Sequence, residues 1–258
     1  MNMVNIQKRD WVILFGGAGR EEIIFTLLKK KINIIKIIIP SNSSLKLLNS
    51  VQLIKEKTNI KIDKYSKINF SNFSKNNKNN ILLCIGFPYI IKNSLLSSFF
   101  LTINIHPTLL PKYKGPTSGA YIILNKEKYS GSTAHLMEKK VDSGEIIAQK
   151  KFKLSKFDTI RSIQLKTYLL EPSLILLSIK KINNNKKLKI NNRIKRKMYK
   201  RTPSDSQIDP KKSLLKLYDS IRASDPKEFP SFFIINKKKV YIKLSTSKKF
   251  IIKKDFSL

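Results

Sequence analysis

The stretch that most constrains the fold is a continuous apolar run, Trp11–Phe15, ending in Gly16, Gly17, Ala18 and Gly19 and followed by residues 20–31 with Ile23, Ile24, Leu27 and Leu28 at helical spacing. An unbroken apolar run reads as a strand covered on both faces, and the 3.6-residue recurrence after it reads as a helix packed on that strand. Strand, glycine turn and helix open a Rossmann-like unit, so an α/β fold with a mostly parallel sheet is expected. Glu21 and Glu22 occupy the later positions of a full dinucleotide fingerprint, which leaves a dinucleotide reading weak. Two readings of the turn stay open. It is a tight connection without a ligand, or its backbone N–H groups, at Gly17 with Arg20, meet a phosphate of a substrate.

Further apolar segments extend the pattern. Residues 33–39 and Ile81–Ile85 read as buried strands, residues 60–62 as a short one, and residues 45–56 as a helix with Leu47, Leu48, Val51 and Ile54 inward. Residues 71–80, rich in Asn, Ser and Lys, read as a surface connection. Residues 132–137 and 146–152 are expected as strands, Gly119–Leu124 and residues 159–178 as helices. Residues 182–200 carry Lys and Asn with little apolar spacing and read as a basic linker or exposed strand. After it come a helix over 214–223 and a hairpin of residues 232–235 and 240–244 around 236–239. The expected division is 1–181, a linker at 182–200, and a small C-terminal unit at 201–258.

The sequence Ile103-Asn104-Ile105-His106 then marks a site. Side chains of a strand alternate, so Asn104 and His106 point the same way. Pro107, Pro111 and Gly115 follow at once, stiffening the chain and then turning it. Strand ends carrying polar residues place a site at the carboxyl edge of such a sheet.

The 258 residues hold 52 Lys and Arg against 17 Asp and Glu, a net charge of +35. That excess points to a polyanion partner, or to a base-composition bias that enriches Lys, Asn and Ile together; the dispersed lysines suit a solvated surface. Cys84 is the only cysteine, which rules out an internal disulfide and a thiolate metal cluster and fits a reducing compartment. No apolar run approaches the roughly 18 residues of a spanning helix, and the apolar part of the start is too short for a secretory signal. A cytoplasmic protein without a membrane segment or metal site is expected.

The pattern N-x-H-P-x-L-L-P-K-Y-x-G at 104–115, with S-G-S-T-A-H at 130–135 and V-D-S-G-E-I-I at 141–147, resembles the formyltransferases that use 10-formyltetrahydrofolate. The resemblance covers most of residues 11–180. It implies a Rossmann-like catalytic domain followed by a small α+β appendage, and a cis peptide at Leu110–Pro111. It implies that Asn104, His106 and Asp142 are catalytic, with His135 in a supporting or structural role. Gly86, Phe87, Ile90, Val141 and Gly144 would meet the folate; Gly17, Arg20, Lys112 and Lys114 would meet the acceptor. The co-substrate implied is 10-formyltetrahydrofolate, with no metal.

The tail, through Arg201, Pro203, Asp205, Asp209, Ile221-Arg222-Ala223 and Pro230, is similar to the C-terminal start of the sugar-nucleotide and methionyl-tRNA enzymes. Three acceptors follow from the resemblance: the amine of a nucleotide-linked amino sugar first, initiator methionyl-tRNA second, glycinamide ribonucleotide third. A reading of another class is a non-catalytic RNA- or polyanion-binding relative. A homodimer formed through the tail is also implied by the resemblance.

Overall fold

The computed structural model describes residues 5–65, 77–115, 119–184 and 201–244. Strand β1 (Trp11–Phe15) is buried at every position because it lies inside the sheet, parallel to β2 (Ile34–Ile39) on one side and to β4 (Ile81–Ile85) on the other. With β3 (Ile62–Lys64), β5 (Leu101–His106), β6 (Tyr129–Leu136) and β7 (Ile146–Lys153), the sheet has seven strands in the order β3-β2-β1-β4-β5-β6-β7. Pairing is parallel as far as β5; β6 and β7 run antiparallel.

The period-two alternation of β1 decides its two cores. Trp11, Ile13 and Phe15 join one cluster with Ile23, Ile24 and Leu27 of α1 (Glu22–Lys29), Leu47, Val51 and Ile54 of α2 (Leu45–Lys57), and Leu174, Ile175 and Ile179 of α5 (Ile160–Asn183). Val12 and Leu14 join the other, with Leu82, Cys84, Phe99 and Leu96 of α3 (Asn93–Leu96). At the edge, β7 ends in alternately covered and exposed residues, and its lysines discourage further strand pairing.

The expected elements are present with shifted ends. Expected strand 60–62 lies at Ile62–Lys64, and helix α4 is Gly119–Leu124 as read. α5 runs through Asn183, past the expected domain edge, with Thr159 and Ser162 capping its start reciprocally. Most of the expected linker, residues 185–200, and residues 71–76 of the expected connection lie outside the described residues.

In the C-terminal unit, α6 (Leu214–Arg222) and the hairpin of β8 (Ser231–Ile235) and β9 (Lys238–Ile242) enclose a small core of Ile208, Leu217 and Ile221. Its turn is tighter than expected: Ile235 pairs with Lys238, and Asn236 and Lys237 both take positive φ, 46° and 64°. Two left-handed residues suit the twist of a two-residue hairpin loop. The unit docks through the Arg161–Asp225 fork at 2.9 and 3.0 Å, an Arg222 bond to the Asp158 carbonyl, and Ala223 packed with Ala120, Ile123 and Ile163. No helix among the described residues is long and apolar enough to cross a membrane.

Candidate active site

His106 is the last residue of β5, and Asn104 precedes it on the same side of the strand. The antiparallel neighbour β6 sets His135 directly across from Asn104, and the loop after β6 brings Asp142 back to the sheet edge. His135 Nδ1 lies 2.7 Å from the Leu136 carbonyl, to which it donates; Nε2 then accepts from the Asn104 amide at 3.0 Å. Sequence reasoning gave His135 a lesser part. In place it orients the Asn104 amide through one of its two N–H groups.

The Asp142 carboxylate sits between two rings, Oδ2 at 3.4 Å from His106 Nδ1 and Oδ1 at 3.6 Å from His135 Nε2, and Oδ2 also accepts from the Gly115 N–H at 2.9 Å. Its backbone has φ of 52°, a left-handed conformation that Asp tolerates better than most residues. Gly144 lets this loop close: a Cβ there would lie 2.0 Å from the Leu136 carbonyl oxygen.

His106 Nε2 faces the Tyr113 carbonyl at 2.9 Å, so both ring nitrogens look onto oxygen acceptors. Burial pushes the imidazolium below its ordinary pKa, opposed by the Asp142 charge and the Tyr113 carbonyl. For Asp142, burial favours the protonated acid, but the His106 charge and the Gly115 N–H, with the His135 ring nearby, outweigh it and hold the carboxyl well below the usual range. An ionised carboxylate therefore stands beside a ring that burial biases towards neutrality and that meets oxygen acceptors when it gains a proton.

The 107–115 loop is held from beneath. Thr133 Oγ1 donates to the Thr108 carbonyl at 2.7 Å and accepts from the Leu110 N–H at 3.0 Å; Gln149 donates to the Leu110 carbonyl at 2.7 Å. Leu110–Pro111 is cis, as expected.

Other expected site residues fall into two groups. Gly86 follows β4 with φ of 62°, which glycine adopts without strain, and Ile90 is 77% exposed with no apolar cover. Phe87 packs edge-on against Tyr65 and Tyr89, with centroids at 5.5 and 5.4 Å. Val141, also exposed, borders Asp142. These surroundings suit a flat heterocycle lying on glycine backbone beside apolar side chains.

The acceptor expectations fare differently. Arg20 is 3% exposed and bound to Glu171, so its guanidinium is committed inside the chain and the expectation that it meets a substrate phosphate is corrected. Gly17 lines Arg20's path. Lys112 is paired with Glu127 at 2.8 Å. Lys114 is a buried residue, and burial, with Lys140 nearby, lowers its pKa.

Sequence reasoning passed over Glu171 and Ser132. A signal existed: Ile163, Thr167, Glu171 and Leu174 share the buried face of α5, and a carboxylate at an inward helical register needs a partner.

A family model described as formyl transferase matches residues 46–179. The chain belongs to the formyl transferase family. The methionyl-tRNA formyltransferase of Borrelia garinii subsp. bavariensis is 39% identical over 104 residues, 40% of this chain and 33% of that protein. The chain thus aligns with about a third of the length of that curated relative. A 4-N formyltransferase from Francisella tularensis superposes with a TM-score of 0.73 over 94% of this chain and all of that one, at 22% identity. An N-formyltransferase from Helicobacter canadensis, in complex with folinic acid and dTDP-3-aminofucose, superposes with a TM-score of 0.65 over 90% of this chain and 86% of that one, at 23% identity. At these identities the two structures establish a shared formyltransferase fold.

Proposed function

We propose that the chain transfers a formyl group from 10-formyltetrahydrofolate to the primary amine of a nucleotide-linked amino sugar. The observation that carries this reading is the Asp142 carboxylate set between the His106 and His135 rings, beside Asn104 at the carboxyl end of β5. The co-substrate supplies the electrophilic formyl carbon; Gly86, Phe87, Ile90 and Val141 are the residues that would hold its ring system. The second N–H of Asn104 and the positive charge of the His106 ring when it holds a proton stabilise negative charge developing on the formyl oxygen. As the amine nitrogen forms its bond to the formyl carbon, Asp142 takes the nitrogen's proton, directly or through water. When the bond from that carbon to the folate nitrogen breaks, the proton passes through His106 to the departing nitrogen.

The sugar acceptor is supported by the match along the whole length of the Francisella enzyme and by the dTDP-amino sugar bound to the Helicobacter one. A second reading, formylation of initiator methionyl-tRNA, is favoured by the 39% identity to the Borrelia enzyme over 104 residues. Purified protein with 10-formyltetrahydrofolate is expected to formylate a dTDP- or UDP-linked 4-amino sugar and to leave charged initiator tRNA unchanged. The reverse result transfers the assignment to tRNA. Reaction with neither, together with steeply salt-dependent RNA binding, removes the enzymatic reading.

A further inference from the structure

Beneath the carboxyl end of β5 lie three buried polar residues that formyl transfer does not use: Arg20, Ser132 and Glu171, 3%, 0% and 0% exposed. Glu171 accepts from Arg20 Nε at 2.6 Å and from a terminal Arg20 nitrogen at 2.8 Å, the two-pronged match of guanidinium to carboxylate. That terminal nitrogen also donates to the Ile105 carbonyl at 3.0 Å. The Ser132 hydroxyl shares its proton between the His106 carbonyl at 2.8 Å and Glu171 Oε1 at 3.0 Å. The ion pair thereby grips the Ile105 carbonyl directly and is tied to the His106 carbonyl through Ser132.

Stability gives a weak reason for so deep a pair, since apolar residues of similar volume commonly fill such positions at no loss. The surroundings are nevertheless shaped to it. A Cβ on Gly17 would lie 2.7 Å from Arg20 Cδ, one on Gly86 3.1 Å from its other terminal nitrogen, and the Tyr168 ring lies 5.2 Å from the guanidinium carbon. The glycine turn that suggested a phosphate loop makes room for an arginine.

We propose that Arg20, Glu171 and Ser132 are positioning residues for His106: by fixing the Ile105 and His106 carbonyls they fix the direction in which the imidazole leaves the strand, and hence its approach to Asp142. The inference rests on the reading of His106 as a reacting group. A displacement of the ring by about 1 Å is enough to cost a large factor in rate.

The chain carries two histidines, His106 and His135, so nitrogen-15 labelling of histidine gives two ring systems, assigned with His135→Gln. The double variant Arg20→Met/Glu171→Leu replaces the pair with apolar side chains and removes its hold on the strand. It is expected to fold, to bind folinic acid as the parent does, and to shift the His106 ring signals and their titration midpoint. Its kcat falls by about tenfold or more while KM for 10-formyltetrahydrofolate holds. Ser132→Ala, which keeps the ion pair, shifts the same signals by less. A folded double variant with parental His106 signals and kcat overturns the proposal; if the double variant does not fold, unshifted His106 signals in Ser132→Ala overturn it. The spectra need no turnover, so a parent protein that formylates no acceptor defeats the proposed function while the ring signals still decide the positioning role.

Discussion

Two clusters of charge meet at the carboxyl end of β5 and are built in opposite ways. Around Asp142 the contacts to the two imidazoles are loose, 3.4 and 3.6 Å, and imidazole as a class exchanges protons near neutral pH. Around Glu171 they are tight, 2.6 and 2.8 Å to a guanidinium that stays charged. The loose cluster can carry a proton from one atom to another; the tight one can only hold shape. On the proposed reading, a reacting group and a rigid mount for it are separated within a few residues of one strand.

Three measurements test that contrast, in falling order of effect. Asp142→Asn removes the charge between the rings, and kcat for formyl transfer should fall by about 10²–10⁴, the usual worth of a positioned acid or base. A rate near the parent's would show that the loose cluster does no proton transfer. Arg20→Met alone strands Glu171 in the interior and should cost about 3–5 kcal/mol in urea unfolding. Restoration of most of that loss by adding Glu171→Leu identifies the unpaired charge as the cause.

The third measurement is stability against pH. His106 has a folded pKa below its unfolded value near 6.5, so the unfolded chain binds the proton more readily and stability falls as pH drops below that value. Asp142 has a depressed folded pKa; its contribution is complete above about pH 4 and is lost as pH falls through and below that range. Both run the same way. His106→Gln should flatten the decline between about pH 7 and 5 and, by removing the charge that holds the Asp142 carboxyl low, shrink the acid limb as well.

Much of this was legible in the residues. The Asn104-x-His106 spacing fixes two side chains on one face of a strand, and β5 presents them so. Trp11–Phe15 reads as a covered strand because every residue in it is apolar, and it is one. The hairpin was legible as to its strands; its turn was read too long because Lys238 and Lys239 look like loop residues, whereas they pair with Ile235 and Ile234. Arg20 stays open in the sequence for a related reason: an arginine at a glycine turn looks the same whether it faces a ligand or an internal carboxylate.

The sequence alone determined most of the strands and the longer helices, though not the short α3, and which way their side chains alternate, since those periods are set by neighbours along the chain. Only the tertiary structure decided that Arg20 pairs with Glu171, 151 residues away, and that Asp142 lies between two rings. Such meetings depend on strand order and on how α5 crosses the sheet. The cost of leaving a buried charge without a partner then selects, among the packed arrangements, the one that brings the charges together.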